Sequence, residues 1–158
     1  MTDFDPDRAK RFEVLDAEIA ARWSAFGVSD EVTYPELLGI EIEELRTDYC
    51  RMRLPFRTEL LQGAGFLHGG AMASLLDHVM VPAVGMGVAE GANFSTVDMH
   101  VQYLRGIAGG ERAEDAVAEG WVTRRGRRTV FCEAEAFGAT TGHLLAKSIL
   151  TYAISPPR

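Results

Sequence analysis

A histidine and two glycines begin a long apolar segment near the middle of the chain, and a single carboxylate follows within it. The residues are His68, Gly69 and Gly70, with Asp77 nine residues after the histidine. Glycine lets other atoms approach the backbone closely, and the N–H groups at a helix start favour negative charge. This spacing indicates a site that holds a carbonyl oxygen near the glycines and attacks its carbon with the acid.

The same residues also have structural explanations, which the sequence leaves open. The two glycines could serve only to form a tight joint between a loop and a helix. Asp77 could be a buried carboxylate paired with an arginine, although ionisable groups rarely lie in an apolar helix without a partner or a function. A histidine such as His68, taken alone, is more often structural than catalytic.

The segment that carries Asp77 predicts a buried helix from about His68 to Met86. It is apolar on nearly every side, whereas a surface helix has a polar face. Alternating residues between Gly39 and Phe56 predict strands joined by a turn at residues 46–48. Four further strands are predicted at 94–104, 113–124, 128–137 and 143–154. Their short links imply adjacent antiparallel strands, and the order predicts an α+β hot-dog fold, a sheet wrapped around a central helix.

The first of these four strands carries an alternating pattern that predicts its two faces. We expect one face to hold Val97, Met99, Val101 and Tyr103. We expect the other face to hold Thr96, Asp98, His100 and Gln102.

An amphipathic helix of about five turns is predicted at the N-terminus. Asp5 and Pro6 are typical of a helix start, and Gly27 is typical of a helix end. Apolar residues recur between them at spacings of three and four, namely Phe12, Leu15, Ile19, Trp23 and Phe26. We therefore expect residues 1–30 to form a helical extension that packs on the hot-dog domain, residues 31–158, or on a partner subunit.

The composition excludes several classes of protein. The chain has 158 residues, 47% of them hydrophobic, which is typical of one globular domain. Its net charge of −7 disfavours a nucleic-acid partner. The charged N-terminus lacks an apolar signal, so we expect a cytoplasmic protein without a membrane partner. Cys50 and Cys132 are predicted to be buried free thiols, and no spacing of metal ligands is visible.

Two stretches resemble the hot-dog acyl-CoA thioesterases of the phenylacetic-acid-degradation, or PaaI-like, type. The first is the run from Gly65 to Gly70 followed by Leu-Leu-Asp77, and the second is the strand at 96–104. The resemblance extends from about Pro35 to Ile154. It implies hydrolysis of an acyl-CoA thioester to a free acid and coenzyme A at a dimer interface, with no cofactor beyond the coenzyme A of the substrate.

The resemblance also implies a role for each residue of the motif. The Gly69 N–H would bind the thioester oxygen, and Asp77 of the facing subunit would act as nucleophile or as general base. Gln62 would help to bind the carbonyl group, and His68 would assist positioning or the leaving thiolate. The Thr96 hydroxyl would help to hold the water. The chain departs from the family at Gln62, because relatives with the shorter acid usually carry asparagine there.

Substrate contacts are predicted at two further places. Gly70 is expected to contact the substrate beside Gly69. Guanidinium groups can hold phosphates bidentately, and coenzyme A carries three phosphates. The candidates flank a turn and are Arg124, Arg125, Arg127 and Arg128, although a solvated hairpin tip remains the alternative. Apolar pocket walls are expected from Phe66, Leu75, Leu76 and Met80, which suits an aryl or medium-length acyl group.

We expect a homodimer that assembles further into a homotetramer. A lone protomer would leave its site half built and a sheet edge unpaired. Two other functions remain open on the same fold. One is a non-catalytic module that binds or senses acyl-CoA, which loss of Asp77 would have favoured. The other is a hydratase or dehydratase, which turnover of an enoyl-CoA would reveal.

Overall fold

The structure is a computed structural model, and it describes residues 4–24 and 31–155. The helices are α1 (Ala17–Ser24), α2 (Tyr34–Leu38), α3 (Gly69–His78) and α4 (Met80–Gly85). The strands are β1 (Glu41–Arg46), β2 (Tyr49–Leu54), β3 (Asn93–Tyr103), β4 (Ala116–Arg125), β5 (Thr129–Gly138) and β6 (Leu144–Ser155). Short 3-10 turns lie at Arg8–Arg11, Thr58–Leu60 and Gly110–Arg112.

The six strands form one antiparallel sheet in the order β1-β2-β4-β5-β6-β3. One face of this sheet wraps around α3 and α4, and the core lies between them. We call this the inner face and the opposite one the outer face. The predicted hot-dog fold is confirmed, and each predicted strand lies within a few residues of an observed one.

The central helix is buried because its apolar side chains extend around most of its circumference. The buried members are Ala71, Met72, Leu75, Leu76, Val79, Met80, Ala83 and Val84. The prediction of one regular helix was wrong at a single turn, since α3 ends at His78 and α4 begins at Met80. Pro82 has no N–H to donate to the His78 carbonyl, so the regular hydrogen-bond ladder is interrupted there.

Strand β3 contains a bulge that the alternating pattern did not reveal. The register with β6 shifts between Thr96 and Asp98, which leaves Val97 as an extra residue with 61% of its surface exposed. The prediction that Val97 shares the inner face with Met99 and Val101 was therefore wrong. Because a bulge resets the alternation, Thr96 lies on the inner face instead.

The N-terminal segment also differs from its prediction. Of its described residues only Ala17–Ser24 form an α-helix, and Phe12 and Leu15 precede it. Asp5 and Pro6 lead into a single 3-10 turn instead of a long helix. Phe26 and Gly27 lie outside the described residues. Tertiary contacts outweigh the helical periodicity here, because Phe12 stacks on Tyr49 of β2 with ring centroids 4.8 Å apart.

A cluster of charged residues fixes this segment on the outer face of the sheet. Glu119 of β4 is completely buried, and it lies 3.3 Å from the guanidinium of Arg8 and 2.7 Å from that of Arg51. The Tyr49 hydroxyl donates a 2.6 Å hydrogen bond to the same carboxylate. Arg8 also bonds Glu135 of β5 at 2.7 Å. Thus the outer face carries a buried network of ion pairs.

The two cysteines are free and buried, as the sequence predicts. Burial raises the pKa of Cys50, and it raises the pKa of Cys132 to about 12. Both thiols therefore stay protonated near neutral pH. None of the helices in the described parts of the chain is long and apolar enough to cross a membrane.

Candidate active site

His68 forms the N-cap of α3 and thereby uses one of the two glycine N–H groups. Its Nδ1 accepts a 2.8 Å hydrogen bond from the Gly70 N–H. A neutral imidazole that accepts at Nδ1 carries its proton on Nε2, so Nε2 is left as a donor. The Gly70 N–H is therefore occupied by the cap, and the contact of Gly70 with a substrate stays a prediction.

The Gly69 N–H remains open at the helix start. Across residues 4–24 and 31–155, no acceptor bonds it, as is typical of the first helical N–H groups. The Tyr103 hydroxyl donates a 2.9 Å hydrogen bond to the Gly69 carbonyl and so ties the end of β3 to the helix. A Cβ atom at Gly69 would lie 3.4 Å from the Tyr103 ring, which is an ordinary van der Waals contact, so a larger side chain here would pack against that ring.

A groove of about 430 Å³ opens beside Gly69. Gln62, Phe66 and Leu104 contribute to its lining. The Gln62 Oε1 accepts a 2.6 Å hydrogen bond from the Ala64 N–H, which leaves the side-chain NH₂ able to donate. The structure thus brings Gln62 and Gly69 together, as the sequence predicts.

The carboxylate of Asp77 lies near the other end of α3 and is held by two hydroxyl groups. Thr96 donates a 2.8 Å hydrogen bond to Oδ1. The Tyr152 hydroxyl lies 3.4 Å from the same Oδ1 and 3.2 Å from the Asp77 carbonyl oxygen. Oδ2 accepts no hydrogen bond from the described residues and retains solvent contact. One carboxylate oxygen is therefore restrained and the other is open to a reactant.

Two titratable neighbours of Asp77 are kept neutral by their surroundings. Burial, and then the charge of Asp77, raises the pKa of Tyr152 well above its ordinary value. Burial lowers the pKa of His78, and this effect outweighs the opposing influence of the Asp77 charge. Tyr152 therefore remains a hydrogen-bond donor at neutral pH, and no positive charge from His78 neutralises the carboxylate.

The Gly69 N–H and the Asp77 carboxylate do not meet within one protomer. They are eight residues apart on one helix, which corresponds to about 12 Å along its axis. A single thioester carbonyl cannot contact both groups at that separation. The structure thus has an open N–H at one end of α3 and a carboxylate near the other, and we call these two places the half-sites.

The four arginines of the β4–β5 hairpin divide into two kinds. Arg125 bonds the Val84 and Ala83 carbonyls at 3.0 and 3.2 Å and forms an ion pair with Asp48. It therefore fixes the hairpin to the end of α4. The other three side chains are exposed, namely Arg124, Arg127 and Arg128. Arg127 and Arg128 border a cavity of about 380 Å³.

The expectation for the apolar walls was largely wrong. Leu75, Leu76 and Met80 have no exposed surface, because they fill the core between the helix and the sheet. Only Phe66 of the predicted set lines the groove. Tyr152 was not predicted as a site residue, although a tyrosine that alternates with the apolar Leu150 and Ile154 indicates a buried hydroxyl in need of a partner.

Comparisons with known proteins agree with this architecture. Residues 64–143, about half of the chain, match the family model described as the thioesterase superfamily. A relative from Halobacterium salinarum is 33% identical over 94 residues, covering 56% of this chain and 59% of that protein. Human acyl-coenzyme A thioesterase 13 is 29% identical over 98 residues, covering 62% and 66% of the two chains. The chain thus spans less than two thirds of either relative.

A solved structure extends the agreement in fold. The E. coli PaaI protein from the phenylacetic acid degradation operon superposes with a TM-score of 0.75, covering 89% of this chain and 96% of that one. Its sequence is 18% identical, so it establishes the fold alone. Together with the family match, which includes Gly69 and Asp77, these findings show that the chain belongs to the thioesterase superfamily.

Proposed function

We propose that this protein hydrolyses an acyl-CoA thioester to a free acid and coenzyme A at a site shared by two copies of the chain. The observation that carries the proposal is the pair of half-sites on α3. One end offers the open Gly69 N–H, and the other offers the open Oδ2 of Asp77. The superfamily supports thioester hydrolysis as the class of reaction.

The chemistry suits these groups. Attack on a thioester carbonyl builds negative charge on its oxygen, and a fixed N–H donor at a helix start stabilises that charge. Such donors contribute about 3–4 kcal/mol in well-studied hydrolases. The Asp77 carboxylate either bonds the carbonyl carbon or takes a proton from the attacking water. Water is the only co-substrate, so we propose no cofactor.

Two copies are needed because the half-sites are about 12 Å apart in one protomer. Strand β3 lies at an edge of the sheet and is 11 residues long, which makes it a natural pairing surface for a second β3. We propose a homodimer in which Gly69 of one copy faces Asp77 of the other. Further assembly into a homotetramer is part of the same proposal, as is a cytoplasmic location.

The substrate class follows from the groove and the hairpin. The acyl group is proposed to be aryl or of medium length, because Phe66 and Leu104 contribute apolar side chains to the groove. The exposed Arg124, Arg127 and Arg128 are the proposed partners of the coenzyme A phosphates. Arg125 would act indirectly by holding the hairpin in place.

The decisive measurement is thiol release from aryl and straight-chain acyl-CoAs by the wild type and by Asp77→Asn. We expect kcat to fall at least about a hundredfold in a variant that keeps its thermal stability and oligomeric state. Tight acyl-CoA binding without turnover by the wild type would favour a binding or sensing protein instead. Hydration of an enoyl-CoA without thiol release would favour a hydratase.

A mixing experiment tests the shared site. Gly69→Val places a branched side chain against the Tyr103 ring and covers the oxyanion donor. Co-expression of this variant with Asp77→Asn should restore about a quarter of the wild-type activity. Half of the dimers are then mixed, and each mixed dimer contains one intact site. If the mixture stays as inactive as its components, the two groups act within one copy and the shared site is refuted.

A further inference from the structure

We infer that Tyr152 is a positioning residue that, together with Thr96, restrains Oδ1 of Asp77 and leaves Oδ2 as the atom that reacts. The inference rests on the proposed function and goes beyond it, because it selects one oxygen of the carboxylate and names the groups that select it. Tyr152 belongs to β6 and is not among the residues that line the groove at Gly69.

The β3 bulge creates this arrangement. Thr96 and Tyr152 are directly opposite each other in the register of β3 and β6, and the register shifts immediately after Thr96. Both hydroxyl groups therefore reach Asp77 from neighbouring strands. Tyr152 spans two atoms of the residue, since its oxygen lies 3.2 Å from the main-chain carbonyl and 3.4 Å from Oδ1. It thus restrains the side chain relative to its own backbone.

The surroundings of Tyr152 make it a rigid support. Only 1% of its surface is exposed, and its ring lies 6.2 Å from that of Phe94. Its elevated pKa keeps the phenol protonated throughout the neutral range, so its single O–H stays available to the main-chain carbonyl and to Oδ1 of Asp77. A donor fixed by packing costs little reorganisation when the reaction begins.

The consequence for the reaction is geometric and applies to both possible roles of the acid. As a base, Oδ2 takes a proton from water while the water oxygen bonds the carbonyl carbon, and the C–S bond then breaks. The thiolate receives that proton. As a nucleophile, Oδ2 bonds the carbon directly and the thiolate leaves, after which water hydrolyses the resulting anhydride. In each case the hydrogen bonds to Oδ1 fix the direction of Oδ2.

Tyr152→Phe tests the inference because it removes one hydroxyl and keeps the ring. We expect kcat to fall about tenfold while KM changes less than about twofold. A purely structural role would lower thermal stability and leave kcat of the folded variant unchanged.

Tyr49→Phe is the matched control. Tyr49 is also fully buried and also donates to a carboxylate, Glu119, but it lies on the outer face of the sheet. The Tyr49→Phe variant should lose thermal stability and keep the wild-type kcat. An unchanged kcat in Tyr152→Phe, alongside an inactive Asp77→Asn, would overturn the inference and leave the proposed function intact. Absence of thiol release by the wild type would overturn both.

Discussion

Two carboxylates, Glu119 and Asp77, each contact a tyrosine hydroxyl on opposite faces of the same sheet, and their other neighbours differ. Glu119 on the outer face is fully buried and contacts the guanidinium groups of Arg8 and Arg51. Asp77 on the inner side is half-buried, and both of its side-chain partners are neutral hydroxyl groups. Within residues 4–24 and 31–155, cations therefore compensate the charge of Glu119, and no cation forms an ion pair with Asp77.

This difference separates a structural acid from a reactive one. A carboxylate that is surrounded by cations stabilises a fold only while all its partners are present, because removing one leaves a buried unpaired charge. A carboxylate with a single open oxygen can accept a proton or attack a carbon. We infer that burial beside a tyrosine does not by itself identify an active site, and that the absence of a compensating cation is the more informative feature.

The largest predicted effects are opposite in two variants, Glu119→Gln and Asp77→Asn. Glu119→Gln should lower the free energy of unfolding by about 3–5 kcal/mol, because two largely buried guanidinium groups each lose one of their carboxylate partners. Its Tm should fall by about 10 °C, while kcat of the folded protein stays near the wild-type value. Asp77→Asn should show the opposite combination of a near-normal Tm and a loss of turnover.

Thermal unfolding and thiol release, measured on the same samples, check this pair. The comparison fails if Glu119→Gln loses turnover at a temperature where it is folded. It also fails if Asp77→Asn unfolds as readily as Glu119→Gln.

A smaller effect is expected at the two aromatic contacts of the N-terminal segment. Phe12 covers Tyr49 on the outer face, whereas the buried Trp23 of α1 packs on Phe94, with ring centroids 6.5 Å apart. The Phe94 ring in turn packs against the Tyr152 ring. Trp23→Leu should therefore lower kcat about threefold, whereas Phe12→Leu should lower only the Tm.

Kinetics at saturating substrate and calorimetry distinguish these outcomes. Equal kcat values in the two variants would show that the N-terminal segment supports the fold alone. A larger loss of kcat in Phe12→Leu than in Trp23→Leu would contradict the expectation that the Trp23 contact, and not the Phe12 contact, supports turnover.

The sequence predicted the fold well because its strongest signals are local. The two-residue alternation identified β1 and β2, and the helix with apolar residues on nearly every side identified the element that the sheet surrounds. The His68 and Gly69 motif was located correctly at the start of α3. These signals depend on residues within a few positions of one another, which a sequence displays directly.

The features that the sequence did not reveal depend on contacts between distant residues. The bulge at Val97 breaks the alternation without any glycine or proline to mark it. Tyr152 meets Asp77 across 75 positions, and Arg8 meets Glu135 across 127. The contacts of Arg8 outweigh the helical periodicity of the N-terminal segment. The positions of His68, Gly69, Asp77 and Thr96 were therefore visible in the sequence, whereas the contacts of Tyr152 were not.

The smallest predicted effect concerns the outer cluster and pH. Burial alone would raise the pKa of Glu135, but the hydrogen bonds from Lys147 and Arg8 outweigh it and hold the pKa below its ordinary value. A carboxylate with a lowered pKa in the folded state stabilises the fold above the unfolded-state pKa. This contribution is lost as the pH falls through the folded-state value.

Glu135→Gln should therefore lower the Tm by about 2–4 °C at pH 7, which corresponds to about 1 kcal/mol, and the difference from the wild type should shrink toward pH 3. Glu133→Gln is the control, because Glu133 lies on the same strand with an exposed side chain. Its Tm should match the wild type at every pH. If the Tm deficit of Glu135→Gln stays constant as the pH falls, Glu135 contributes packing instead of charge. Glu119 would then be the one carboxylate of the outer cluster whose charge the arginines compensate.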